Sequence, residues 1–343
     1  MSHLIRIADS EVSFPCESDQ SILDAALKAG VQIPYSCKKG VCGNCAAHIE
    51  KGEFQRALIW PDAKLTGQEL LCQCRPQSDM VVKPPQWHQS IPAEFKRIQV
   101  KVYRNVAAAP DVSLLHLRLP AGQRIKFRAG QYLNIVLPGE QRRSYSMANP
   151  PHESDSIQLH VRHVEGGLFS EIARQLKPGD FLDVESPFGQ VQLSQDDQNH
   201  LLCICGGTGF APVKSLLDDL AKQKSQRQIT LLWGAKDAAG LYLLDHIARW
   251  QKSFPHFKFQ AVIETESDAM TLGAFYGRVD DALLAMGSAP SALEVYCCGS
   301  PNMVSAVKKV CLNTLGLQAD KFHADVFVTN QDAGLTLLIG FEN

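Results

Sequence analysis

Cys37-Lys38-Lys39-Gly40-Val41-Cys42-Gly43-Asn44-Cys45, with Cys72 further along, decides how this 343-residue chain is read. The first three thiols have the spacing C-x4-C-x2-C, and the fourth comes from a separate segment. Two irons bridged by two sulfides need four thiolates converging on a small volume, and this is the spacing of a [2Fe-2S] site. Gly40 and Gly43 stand between the ligands, where the backbone must bend sharply and approach the cluster. Loop amides there donate to the sulfurs and tune the potential. Structural zinc sites bring their thiolates as two close knuckles, and the second pair is not at that spacing here. Cys72 and Cys74, two apart in Leu70-Leu71-Cys72-Gln73-Cys74-Arg75-Pro76, both compete for the fourth place.

Composition agrees with a redox protein of several domains. At about 150 residues per domain the length implies two or three, each large enough to bury its own core. No apolar run approaches the roughly 18 residues of a membrane span, and Met1-Ser2-His3-Leu4-Ile5-Arg6 lacks the apolar core of a signal peptide. A cytoplasmic location is expected. Eleven cysteines, an odd number, suit a reducing compartment with ligands and free thiols better than a disulfide framework. A net charge of −2 supports neither nucleic acid nor anionic lipid as a partner.

The first module, residues 1–86, alternates strand and helix signals. Ser21 is placed to cap a helix Ile22–Lys28, with Asp24 at its positive end and Gly30 to stop it. This module resembles the plant-type ferredoxins, an α+β β-grasp fold whose last ligand lies four residues before a proline. Cys72 stands in that register with Pro76, which leaves Cys74 as a buried free thiol. Residues 87–96, within the stretch Pro84 to Pro92, read as a semi-rigid linker.

Residues 97–198 have the alternation of strands. Leu115, Leu117 and Leu119 alternate with His116 and Arg118, and Tyr132 to Leu137 is an apolar run bounded by Gly130 and Pro138-Gly139. Short strands with turn residues between them predict an antiparallel barrel. Arg142-Arg143-Ser144-Tyr145-Ser146 then matches the R-x-Y-S signature of the ferredoxin-NADP reductase-like flavoproteins, and Gly166-Gly167-Leu168-Phe169-Ser170 resembles their pyrophosphate site at a helix start. The resemblance implies FAD, with Arg143 on a flavin phosphate, Tyr145 packed on the ring and Ser146 near its redox-active nitrogen. It also implies contacts from Val161, Gly167, Phe169 and Ser170. These residue types suit those tasks, since Arg presents a fork of donors, a ring stacks on a ring, and a hydroxyl donates.

Residues 199–343 open with the buried strand Leu201-Leu202-Cys203-Ile204-Cys205, which turns at Gly206-Gly207-Thr208-Gly209-Phe210-Ala211-Pro212 into a helix. That is the strand, glycine turn and helix of an α/β parallel-sheet nucleotide domain, where a pyrophosphate meets helix amides. It resembles the G-G-T-G-x-A-P form of the same reductases and implies NADH contacts at Gly207, Thr208, Gly209 and Pro212. Gly234 and Asp237 fall where that family meets the ribose. Asp237 is placed to accept from a free 2′-hydroxyl, which favours NADH, while neighbouring Lys236 suits a 2′-phosphate. Cys298-Gly299-Ser300-Pro301-Asn302-Met303 resembles the C-G-x-P-x-M turn that holds the nicotinamide, implying roles for Cys298, Gly299, Pro301 and Met303. Phe322-His323-Ala324-Asp325-Val326-Phe327 resembles the segment whose acid and aromatic approach the flavin, here Asp325 and Phe327. Sixteen residues follow Phe327, and the sequence leaves their role open.

The order ferredoxin, flavin barrel, nucleotide domain resembles the NADH-dependent reductase components of bacterial aromatic-ring-hydroxylating oxygenases. It implies electron transfer from NADH through FAD and a [2Fe-2S] cluster to a separate terminal oxygenase acting on an aromatic carboxylate such as terephthalate. Ser146, Cys298 and Asp325 would stand at the hydride transfer, with Cys298 shaping the stack rather than attacking. Reductases of sugar-nucleotide deoxygenation share the three modules and are the alternative. Lys38 and Lys39 are candidates to steer an acidic partner.

Overall fold

Ser21 Oγ accepts from the Asp24 N–H at 3.1 Å and starts the helix Ile22–Lys28, and Gly30 at φ 79° follows its end. That cap is worth about 1 kcal/mol. In the computed structural model, which describes residues 1–38, 40, 42–57, 67–90, 96–190, 193, 199–287 and 292–328, this helix lays Ile22, Leu23, Ala25 and Ala26 into a core shared with Ile5, Ile7, Phe14 and Val82. Strand Ser2–Ile7 pairs antiparallel with Ser13–Glu17 and parallel with Met80–Lys83. Ala46–Lys51 and Glu69–Leu70 extend the sheet. A hairpin, a helix across it and a returning parallel strand make the β-grasp. Part of the expected linker is structured: His88–Gln89 pairs with Val31–Gln32.

The chain divides into two compact units, Met1–Glu94 and Phe95–Phe327. In the second, six antiparallel strands run in the order Gln141–Ser146, Tyr132–Leu137, Phe181–Phe188, Lys96–Ala109, Val112–Arg118, Ser156–Arg162. A bridge between Met147 and Leu159 joins the two edges, which closes the barrel around Val100, Leu115, Leu133, Ile135, Leu159 and Val184.

The other half of this unit is a six-stranded parallel sheet ordered Phe275–Tyr276, Phe257–Ile263, Ile229–Ala235, His200–Gly206, Leu293–Gly299, Phe322–Val326. Its central strands read as continuous apolar runs because helices cover both faces. The chain order reverses between His200–Gly206 and Leu293–Gly299, and the crevice at the carboxyl ends of strands on either side of such a point is where α/β sheets bind ligands. Arg227 and Glu294, each with 2 % of the side chain exposed, pair at 2.8 Å, and His323 meets the second Glu294 oxygen at 2.9 Å. This buried cluster anchors the edge strand that carries Asp325. Barrel and sheet are tied together: Lys214 Nζ donates to the Ala148 carbonyl at 3.1 Å, Ser215 Oγ to the Asn149 carbonyl at 2.7 Å, and His160 Nδ1 lies 3.0 Å from the Tyr242 hydroxyl.

Candidate functional site

The loop after Tyr35 carries three of the four thiols, and its backbone is left-handed at Lys38, Gly40 and Gly43. Glycine enters that region freely and lysine does so rarely. Cys37 Sγ and Cys42 Sγ are 3.4 Å apart, and the thiols of Cys45 and Cys72 lie close enough to perturb one another. The Cys42 N–H donates to Cys37 Sγ at 3.4 Å, and the Asn44 backbone acts on Cys42. Among the described residues no three cysteine, histidine or acidic side chains gather about a single ion position. Four thiols brought together from one loop and one separate turn suit the donor set of a [2Fe-2S] cluster.

Cys72, and not Cys74, is the thiol that acts on Cys45. The Cys74 thiol is fully buried in the apolar core, and burial pushes its pKa up to about 12. Lys38 does not stand free for steering, because its Nζ pairs with Asp24 at 2.7 Å and lies 4.8 Å from the centre of the Tyr35 ring. Lys39 lies outside the described residues.

In the barrel, alternation along Gln141–Ser146 sends Arg142 and Arg143 to opposite sides. Arg142 is taken by Glu185 at 2.8 Å. Arg143 donates to the Arg142 carbonyl at 2.9 Å, and among the described residues no carboxylate pairs with it. Tyr145 is half-buried and meets Phe169 edge-on, ring centres 5.1 Å apart. Phe169 and Val161 are buried in the barrel core, so Phe169 backs the tyrosine and neither residue is open to a ligand. Gly167 caps the helix Leu168–Gln175, and the Ser170 hydroxyl is bound to the Val164 carbonyl at 2.9 Å. The helix start is thus rigid.

Ser146 Oγ donates to Asp325 Oδ2 at 3.1 Å, a buried contact between residues 179 apart in the chain. Asp325 stands beside Cys298 in the strand register. Cys298 is fully buried; burial first, then the Asp325 charge, pushes its thiol well up, which keeps it protonated and unfit as a nucleophile. The Phe327 N–H donates to the Gly299 carbonyl at 2.9 Å.

The nucleotide crevice is shaped by missing side chains. A Cβ on Gly209 would lie 2.2 Å from the Cys298 carbonyl oxygen, and one on Gly206 2.5 Å from the Met303 sulfur. Met303 also packs on Gly299, and a Cβ at Gly234 would strike Val279 at 2.6 Å. Met303 and Gly234 therefore have packing tasks of their own. Thr208 lies in the short turn Gly207–Gly209, Pro212 is buried in the first turn of Phe210–Lys222, and Pro301 opens the helix Pro301–Lys309 capped by Ser300. Asp237 Oδ1 accepts from the Gly240 N–H at 3.1 Å, so one of its oxygens is engaged in the local turn.

Sequence reasoning missed Gln73, whose amide reaches Cys72 Sγ at 3.5 Å. It also missed Arg162, whose guanidinium crowds Gly207, and Trp233, whose Nε1 donates to the Gly207 carbonyl at 3.2 Å. A polar residue between two cysteines in an apolar turn was the available signal for Gln73. For the other two nothing local pointed across the fold.

Paired thiols on a β-grasp loop, an arginine and tyrosine on a barrel edge and a glycine-lined crevice at a strand-order switch define an iron–sulfur flavoprotein oxidoreductase. Family models agree: residues 5–77 match a 2Fe-2S iron-sulfur cluster binding domain, 99–193 an oxidoreductase FAD-binding domain and 203–309 an oxidoreductase NAD-binding domain. Reductase component 1 of terephthalate 1,2-dioxygenase from Comamonas sp is 51 % identical over 96 % of this chain and 98 % of its own. The CDP-6-deoxy-L-threo-D-glycero-4-hexulose-3-dehydrase reductase of Yersinia pseudotuberculosis is 33 % identical over 96 % of this chain and 100 % of its own. Among solved structures, the Amycolatopsis cytochrome P450 reductase GcoB superposes with a TM-score of 0.75 at 27 % identity, covering 95 % of this chain and 99 % of that one. The chain belongs to the family of ferredoxin-containing flavoprotein reductases that includes the terephthalate dioxygenase reductase components.

Proposed function

We propose that this reductase takes electrons from NADH and delivers them singly to a separate terminal oxygenase that dihydroxylates an aromatic carboxylate such as terephthalate. The observation that carries this reading is the near full-length likeness, at 51 and 52 % identity, to two terephthalate 1,2-dioxygenase reductase components. The sugar-nucleotide reductases share the architecture at 33 %. When bound, FAD converts a two-electron hydride into single electrons that a [2Fe-2S] cluster accepts one at a time.

The chain's own residues divide the rest of the work. Arg143, which meets no carboxylate among the described residues, is assigned to a flavin phosphate with the amides at Gly167 and Ser170, and Tyr145 to the face of the ring. Phe327 completes that site, and Val161 backs it from the barrel core. Ser146 holds a hydroxyl at the flavin, oriented by Asp325, and Cys298 with Gly299 and Pro301 orients the nicotinamide. Gly207, Thr208, Gly209 and the helix start near Pro212 take the pyrophosphate, and Asp237 the ribose 2′-hydroxyl. Gly234 and Met303 contribute by fixing the crevice walls. Cys37, Cys42, Cys45 and Cys72 would hold the [2Fe-2S] cluster, which would accept the electrons one at a time.

The test is reconstitution with purified candidate acceptors. Terephthalate-dependent NADH oxidation with a terephthalate oxygenase, and none with a sugar-nucleotide dehydrase, is expected. Turnover only with the dehydrase would transfer the chain to the alternative.

A further inference from the structure

The turn that supplies the fourth thiol is held from several directions. Leu71 N–H donates to the Cys45 carbonyl at 3.1 Å and Leu23 N–H to the Leu71 carbonyl at 3.1 Å. Gln73 is fixed at both ends of its peptide, its N–H donating to the Leu70 carbonyl at 2.7 Å and its carbonyl accepting from Ala57 N–H at 2.8 Å. Its side chain, on a residue only 8 % exposed, points inward, with Nε2 3.5 Å from Cys72 Sγ and 3.4 Å from the Lys38 carbonyl oxygen. A primary amide has two N–H bonds, and here each has an acceptor: one the ligand sulfur, the other the loop that carries Cys37, Cys42 and Cys45. The residue therefore bridges the two segments that must converge and aims a neutral donor at one sulfur.

We propose that Gln73 sets the reduction potential of the [2Fe-2S] cluster by donating a side-chain hydrogen bond to the Cys72 sulfur. Reduction adds one electron to the cluster and neither forms nor breaks a covalent bond, so the ligand sulfurs carry more negative charge afterwards. A donor held against one of them stabilises the reduced form more than the oxidised form and raises the potential. Because the donor is buried and its peptide is pinned, little reorganisation accompanies the change of charge. The inference rests on Cys72 being the fourth ligand.

An anaerobic redox titration of the full-length holoprotein tests it, with the cluster followed by the EPR signal of its reduced form and the flavin by absorbance. Gln73→Leu is expected to move the cluster midpoint to more negative potential while the flavin midpoint and the iron content stay unchanged. Gln73→Glu, of equal length but with acceptor oxygens, is expected to move it further the same way. Either variant retaining a full cluster at the wild-type midpoint would overturn the proposal, since a merely structural bridge would alter cluster retention and not potential. In case both variants shed the cluster, pulsed EPR on wild-type protein carrying amide-15N glutamine decides: a coupling to a side-chain nitrogen supports the bond, and its absence refutes it. A wild-type protein with no reduced-cluster signal at all would remove the ligand reading and the proposal with it.

Discussion

The cluster loop and the nucleotide crevice solve their problems in opposite ways. Around the cluster, function lies in side chains that are present: four thiols, three of them within nine residues. In the crevice it lies in side chains that are absent: a Cβ at Gly209 would strike the Cys298 backbone, at Gly206 and Gly299 the Met303 side chain, and at Gly207 the Arg162 guanidinium. A site made of ligands fails when one is lost, whereas a site made of space fails when something is added.

The largest expected effect is at the cluster. Cys72→Ser should abolish the [2Fe-2S] EPR signal while leaving flavin that NADH still reduces, and Cys74→Ala should leave the signal intact. Equal loss from both would break the assignment of Cys72 as the fourth ligand. Next comes addition in the crevice: Gly209→Ala, with its Cβ driven against the Cys298 carbonyl, is expected to lower stability by about 3 kcal/mol, read from thermal unfolding. A neutral result would mean that the strand end yields easily. Between the two modes lies Ser146→Ala, which removes one hydrogen bond to Asp325. About a tenfold slower flavin reduction in stopped flow is expected, from roughly 1.4 kcal/mol for a bond to a charged group.

A gentler effect concerns the seam between barrel and nucleotide sheet. His160, His246 and His116 are all held below the ordinary value of 6.5, burial being the chief cause and the Lys214 charge contributing at each, and His246 lies at about 4. The unfolded chain takes up protons that the folded unit refuses, so this stability is whole above pH 6.5 and is lost as pH falls toward 4. Melting of the flavin-binding unit should decline across that window, and His246→Gln should flatten the decline; an unchanged slope would exclude His246. Smallest is Lys38→Gln at an exposed ion pair, expected to alter stability by under about 1 kcal/mol and leave the salt dependence of electron delivery unchanged.

The same contrast explains what the sequence revealed. Cysteine spacing reports ligands directly, and Ser21, Asp24 and Gly30 mark the first helix because caps are local chemistry. Strand alternation gave the barrel and an apolar run gave the first strand of the parallel sheet. The Ser146–Asp325 bond spans 179 residues, and only family resemblance placed its two ends at one site. Met303 and Gly234 carry motif positions whose packing against glycine and valine no one-dimensional pattern displays. The pairing of Lys38 with Asp24 was equally hidden, since a lysine beside a cluster reads the same whether free or neutralised.

The most direct test of the whole account is a visible absorption spectrum of anaerobically purified protein before and after NADH, with NADPH as the paired control. Flavin and iron–sulfur bands that both bleach with NADH, and far more slowly with NADPH, are the expected result. Flavin that bleaches while the iron–sulfur bands stay oxidised, or bands that ignore NADH, would contradict an internal chain from nucleotide to cluster.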